Sequence, residues 1–264
     1  MRPPCAVFHH VMKRAAFALA ILALPAFLAC ASGEEEGAFL PVDGAGVRTV
    51  EVRSGPVDVA VAPGEAASVV LDSDVTTDFP WDDASGCRLR VERDGQRLYA
   101  CIETDGPLST GATGRLLVRV PPGASILVRT SSGGVTVEGL RGGTIDVRTS
   151  SGSVSLRRVS GRLLVDSVSG AVQIDSGSGV VDARTVSGRI QCRRLRLSDY
   201  CQFTSVSGSI DVGLVSDLES LGFDLGSVSG SIRVGTIRAE HGLRIGFGRT
   251  FVKARTVSGS VSFQ

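Results

Sequence analysis

Residues 143–188 read GTIDVRTSSGSVSLRRVSGRLLVDSVSGAVQIDSGSGVVDARTVSG. Glycine recurs at 143, 152, 161, 170, 179 and 188, an unbroken step of nine. Two residues after each glycine the side chain is apolar: Ile145, Val154, Leu163, Val172, Val181 and Ile190. Four residues after, it is apolar again: Val147, Leu156, Val165, Ile174, Ala183 and Cys192. The positions between are mostly Ser, Arg, Asp or Gln. A period of two is the signature of a strand with one buried face. Glycine just ahead of each strand marks a corner where positive φ or close backbone approach excludes a Cβ. Nine residues therefore make one short strand and one corner.

The series continues upstream to Gly133 and downstream to Gly208, Gly230 and Gly259. It carries the apolar pairs Val135/Val137, Ile210/Val212, Ile232/Val234 and Val261/Phe263. Seven corners read Thr/Ser-x-Ser-Gly, closing on Gly133, Gly152, Gly170, Gly188, Gly208, Gly230 and Gly259. The corners between them differ: those at Gly143 and Gly161 lack the first hydroxyl, and the one at Gly179 follows Ser176 with a second glycine, Gly177. The unit is thus two strands in 18 to 22 residues, stretching to 29 at the last step. A unit so small cannot bury its own apolar face and must stack on its copies. The expected fold is an all-β, two-sheet parallel β-solenoid with 18–22-residue coils. An antiparallel β-sandwich is the alternative, since it also shows short strands at regular spacing. The constant register to glycine and the two-beat alternation of corners favour the solenoid.

The runs RTSSGGVTVEGL, RTSSGSVSL, DSVSGAVQI, RTVSGRI and SVSGSIDV resemble the bacterial putative-adhesin family of unknown function. The resemblance covers roughly residues 47–264 and is strongest from Leu117 onward. It implies a repetitive β-helix-like domain, secreted or membrane-anchored at the cell envelope. It implies no catalytic residues.

The 264 residues carry a net charge of +1, so no global field argues for nucleic acid. Glycine is plentiful, at 33 residues, and aromatics are few, at 5%, which suits short strands and tight corners. Residues 1–30 read as a lipoprotein signal peptide: Lys13 and Arg14, the apolar run Ala15–Leu28, then Ala26-Phe27-Leu28-Ala29-Cys30. Phe27 stands where such a box prefers Leu. Cys30 would become the lipid-modified residue, tying the protein to a membrane through its acyl chains. Ordinary secretion, with cleavage after Ala31, is the alternative. Met12 is a more natural start than Met1. Residues 31–46, with Glu34-Glu35-Glu36, read as a flexible tether. Residues 47–121 read as irregular β-rich N-terminal coils or a cap, and 122–264 as the regular repeats. Strands are expected at 47–53, 57–62, 68–72, 87–93, 97–103 and 115–120, with Asp94-Gly95 as a hairpin signal.

Once Cys5 and Cys30 are set aside, four cysteines remain. A three-residue loop over 93–95 would bring Cys87 opposite Cys101, a plausible disulfide in an exported chain. Cys192 and Cys201 flank the lengthened coil and form the second candidate pair, although Cys192 also fits a simple buried thiol. There is no CxxC, and His241 is the only histidine after the leader, so neither a metal nor a cofactor is expected.

Catalysis finds little footing. Asp82 and Asp83, with Asp74, Asp78 and Trp81 in a loop over 73–86, offer oxygens of the kind that Ca²⁺ takes. No D-x-D-x-D-G pattern supports them, and a solvated acidic loop explains them as well. No His–Asp partnership stands ready to activate a serine. Binding is the better class. The residues before the seven corners are Arg129, Arg148, Asp166, Arg184, Thr204, Gly226 and Arg255, which stacking would turn into a column. Arg129, Arg148, Arg184 and Arg255 could grip an anionic surface polymer, or simply offset neighbouring acids on a solvated face. A coil that ends on Phe263 would leave an edge open to strand addition by a partner or second copy, unless Arg233–Lys253 folds back as a cap. The function expected is a cell-envelope adhesin-like binding or scaffolding module without catalytic activity. A regulatory protein docking another membrane protein is the alternative, and a polysaccharide-acting enzyme is the remotest reading.

Overall fold

The structure is a computed structural model that describes residues 38–39, 44–76, 87–104 and 113–264. The calls on Cys30, the signal peptide, most of the tether, Asp78, Trp81, Asp82 and Asp83 lie outside the described residues. Strand β1 (Ala38–Phe39) precedes the first coil, β2 (Thr49–Ser54) and β3 (Asp58–Pro63). Then come β4 (Ser68–Thr76), the hairpin β5 (Cys87–Asp94) and β6 (Arg97–Thr104), and β7 (Thr113–Val120). Regular coils follow: β8 (Ser125–Thr130) with β9 (Val135–Glu138), and β10 (Arg141–Thr149) with β11 (Val154–Arg157). Next are β12 (Ser160–Ser167) with β13 (Val172–Asp175), and β14 (Ser178–Thr185) with β15 (Ile190–Leu197). β16 (Tyr200–Ser205) with β17 (Ile210–Leu214) and β18 (Leu221–Ser227) with β19 (Ile232–Val234) extend the series. Two short strands, β20 (Ile237–Ala239) and β21 (Gly242–Ile245), lead to β22 (Thr250–Thr256) and β23 (Val261–Phe263).

Odd and even strands of the coils sort into two sheets. Sheet A runs β1-β4-β7-β3-β9-β11-β13-β15-β17-β23-β19-β20. Sheet B runs β5-β6-β2-β8-β10-β12-β14-β16-β22-β18-β21. Neighbouring coils pair in parallel and in register, for example Val154↔Val172 and Leu156↔Ile174. The solenoid is therefore the fold, and the antiparallel sandwich is excluded. Every +2 and +4 residue of the glycine series is buried between the sheets.

The corners explain the register. At Gly170, an added Cβ would lie 1.9 Å from the carbonyl oxygen of Gly152, one coil away. The space belongs to the neighbour's backbone, so here close approach, rather than positive φ, demands glycine. The buried hydroxyl that opens each corner is spent locally. Thr149 Oγ1 accepts from Gly152 N at 2.9 Å, and Ser167 Oγ accepts from Gly170 N at 2.9 Å. In the last coils Ser227 Oγ instead donates to the Gly259 carbonyl at 2.9 Å. No buried side-chain N or O among the described residues lacks a partner.

The stacking order departs from the chain order at both ends. β2 and β3 lie inside the later β6 and β7, and β22 and β23 lie between β17/β16 and the earlier β19/β18. Thus β23 is an interior strand, not the open edge expected from its place in the sequence. The 29-residue step folds outward as the antiparallel strands β20 and β21, then returns beneath them through β22. The outer strands are short, three and four residues, which limits edge pairing. At the other end the antiparallel strands β4 and β5 play the same part.

The β5–β6 turn has two residues, Gly95 at φ +55° and Gln96, because Asp94 pairs with Arg97. That register sets Cys101 opposite Arg90 and Cys87 opposite Thr104, so the proposed pairing of Cys87 with Cys101 is corrected: Cys101 is a free thiol. Cys192 and Cys201 are also free and buried in the core, from opposite sheets. Burial alone pushes the Cys192 thiol far above its ordinary range, as expected of an inert core residue.

Gly170→Ala is expected to lower unfolding stability in urea by about 2 kcal/mol or more, because the neighbouring coil must move. Gly213→Ala, where the nearest atom stands 3.5 Å from the added Cβ, is expected to change it little.

Candidate functional site

Stacking turns each outward position into a column with a step of about 4.8 Å. On sheet B the column before the corners reads Arg53, Arg129, Arg148, Asp166, Arg184, Thr204, Arg255, Gly226. The four arginines singled out in the sequence do share one face, but most are already paired. Arg148 lies 3.2 Å from Asp146 and 3.8 Å from Asp166, and Arg184 lies 2.6 Å from Asp182. Arg255 reaches Asp224 at 2.7 Å, across the inserted coil. Arg53 pairs with Glu51 at 3.0 Å and lies over the Tyr99 ring. Arg129 alone among these arginines has no carboxylate partner among the described residues, since Leu127 stands where the two adjoining coils place Glu51 and Asp146. Such exposed pairs contribute about 0–1 kcal/mol each. Their main effect is to neutralise the face.

The middle residues of the corners form a second column on this side. Val168, Val186, Val206, Val257 and Val228 are each 43–64% exposed, and the backbones of the first four hydrogen-bond from coil to coil. Side-by-side valines shield those bonds from water.

Sheet A is different. Its outward face between β9 and β15 holds a cleft of about 390 Å³. One column supplies neutral hydrogen-bonding groups: Thr136, Ser155, Gln173 and Gln191 in successive coils. The adjoining column reads Glu138, Arg157, Asp175, Arg193. Directly after it the chain turns the corner through Gly139, Arg158, Ser176 and Arg194, all left-handed, at φ +73°, +51°, +58° and +52°. That region suits glycine, and a side chain there is costly.

The left-handed turn throws each corner arginine back along the stack onto an acid one coil away. Arg158 pairs with Glu138. Arg194 Nη2 reaches Asp175 Oδ1 at 2.9 Å and Oδ2 at 3.0 Å. The Arg194 hydrogen bonds hold the Asp175 carboxyl below the usual carboxylate range, helped by Ser176 Oγ, which donates at 3.2 Å. Four guanidinium groups thus face two carboxylates. Arg157 and Arg193 are exposed and form no ion pair of their own among the described residues.

Sequence reasoning passed over this cleft. The signal was present: Arg157-Arg158 and Arg193-Arg194 stand five and six residues after Gly152 and Gly188. Among the described residues no nucleophile–base pairing with His241 is assembled. His241 is exposed in the turn between β20 and β21, and no cluster of three His, Cys, Asp or Glu among the described residues could hold a metal ion.

The molecule is a stacked-coil β-solenoid, with one largely neutralised face and one polar, net-cationic cleft. Residues 47–262 match the family model Toastrack DUF4097, and the chain belongs to that family. Among solved structures it is similar to a putative cell adhesion protein from Clostridium sporogenes, with 12% identity over 86% of this chain and 98% of that one, and a TM-score of 0.38. No curated protein matches it.

Asp175 is expected to titrate below an ordinary aspartate when followed by NMR, and Arg194→Gln to move the midpoint upward. The sign follows from the depressed value. The ion pair is intact above the unfolded-state pKa and is lost as pH falls through the folded-state one.

Proposed function

We propose that the protein is an adhesin-like binding or scaffolding module of the bacterial cell envelope, working without catalysis. The observation that carries this reading is the sheet A cleft. It is a rigid, repetitive surface with hydrogen-bonding side chains in register, and it has guanidinium groups left over after internal pairing. Nothing in the cleft is arranged as nucleophile and base, while columns of donors and acceptors at strand spacing suit a long, regular ligand. The family resemblance supports an envelope setting. The Ala26–Cys30 box supports export and anchoring through a lipid on Cys30, with residues 31–46 holding the solenoid away from the membrane.

Two measurements test the reading. Purified protein is expected to be retained by isolated envelope material of its source bacterium, and Arg157→Gln with Arg193→Gln to weaken that retention. Equal retention of the variant would overturn the site. Grown with an alkyne-bearing fatty acid, cells are expected to label the wild-type protein and not Cys30→Ser. An unlabelled wild type whose N-terminus begins after Ala31 would replace the lipid anchor with secretion.

A further inference from the structure

We propose that the sheet A cleft binds an acidic polysaccharide lying along the stack, its acidic groups on alternate sugars and seated on Arg157 and Arg193. This deepens the binding-module reading and rests on it.

Spacing is the first argument. Arg157 in β11 and Arg193 in β15 occupy one column with Asp175 of β13 between them, so they stand two coils apart. Two strand spacings are about 9.6 Å, close to the length of two linked pyranose rings in an extended chain. A glycan with one carboxylate per disaccharide therefore presents an acid to each of these arginines. The ring between them meets Asp175, which accepts hydroxyl protons and repels a third acid. The cleft selects for alternation, since a polymer charged at every sugar sets one charge against that carboxylate.

The neutral column is the second argument. Ser155, Gln173 and Gln191 offer one side chain per coil, hence about one per sugar. Each amide both donates and accepts, which is what a ring of vicinal hydroxyls requires.

The third argument is the backbone. Gly139 shows that glycine serves at this corner, yet Arg158 and Arg194 occupy it with φ of +51° and +52°. Their left-handed turn lays them on Glu138 and Asp175. Those acids would otherwise neutralise Arg157 and Arg193, which are their direct neighbours across the sheet. The strained arginines thus keep the unstrained ones free for a ligand. Strain of this kind persists where the site, rather than the fold, requires it. Other polyanions fit less well. No aromatic side chain lines the cleft for base stacking, and evenly charged polyphosphate meets Asp175 at every second coil.

The test is equilibrium binding of the intact protein to three probes: hyaluronan oligosaccharides, with alternate uronates; polygalacturonate, with an acid on every sugar; and neutral dextran. Hyaluronan oligosaccharides are expected to bind best. Arg157→Gln with Arg193→Gln should weaken them roughly tenfold or more, the loss of two charge-assisted hydrogen bonds. Arg158→Gly with Arg194→Gly separates site from scaffold. It relieves backbone strain, so thermal stability should hold or rise, while binding falls as Glu138 and Asp175 turn on their neighbours. Equal binding of hyaluronan and polygalacturonate, or binding indifferent to both double variants, would overturn the proposal. If no probe binds and envelope material still retains the protein, the ligand class is wrong and the binding role stands; if both fail, both are wrong.

Discussion

Everything in this molecule depends on how closely one coil's backbone can approach the next at the Thr/Ser-x-Ser-Gly corners. A glycine there lets the neighbouring carbonyl sit where a Cβ would be, 1.9 Å from it at Gly170 and 1.8 Å at Gly208. The contact fixes both spacing and register, because a slip of one residue would drive a side chain into backbone. Fixed register then aligns the apolar +2 and +4 positions into continuous inner ladders, and the polar positions into outer columns. The cleft on sheet A inherits its regularity from those corners, and so does the charge balance of sheet B.

The ends obey the same constraint by another route. A parallel stack cut off at a coil exposes two rows of unpaired backbone groups. This chain places antiparallel strands on each end, long in β4 and β5 and short in β20 and β21, and threads a sequence-distant coil into the stack beneath them. At the C-terminal side Phe263 packs against Phe203 and Phe223, with ring centroids 6.0 and 5.2 Å apart. Ala254, in the opposite strand of the same coil, is fully buried and stands in register between Phe203 and Leu225. Large and small residues trade places across the core while the spacing between sheets is kept.

The coil architecture was legible because strand and corner each leave a local mark: alternation with period two, and glycine. The threading was not. β22 and β23 carry the same local pattern as any other coil, and nothing within their own residues says which coils they lie between. The hairpin register failed by a related margin, since a turn of two residues rather than three moves Cys87 away from Cys101. On sheet B the arginine column was legible as a column. Its neutralisation was half visible, in Asp146-x-Arg148 and Asp182-x-Arg184, where period two brings acid and base to one face. Arg255 with Asp224 was invisible, because that pair exists only through the inserted coil. Arg158 and Arg194 escaped notice for a different reason: arginine is no signal for a left-handed turn, and the ion pairs that hold them there join different coils.

Hydrogen exchange at residues 261–264 tests the threaded stack most directly. In the structure Val261 N donates to Ser231 O, Gln264 N to Val212 O, and Phe263 O accepts from Gly235 N. These groups therefore bond to coils on both sides. Protection comparable to that of residues 172–175, in the middle of the stack, is expected. Free exchange at 261–264 while 210–214 stays protected would contradict the inserted coil, and with it the register on which both faces are built.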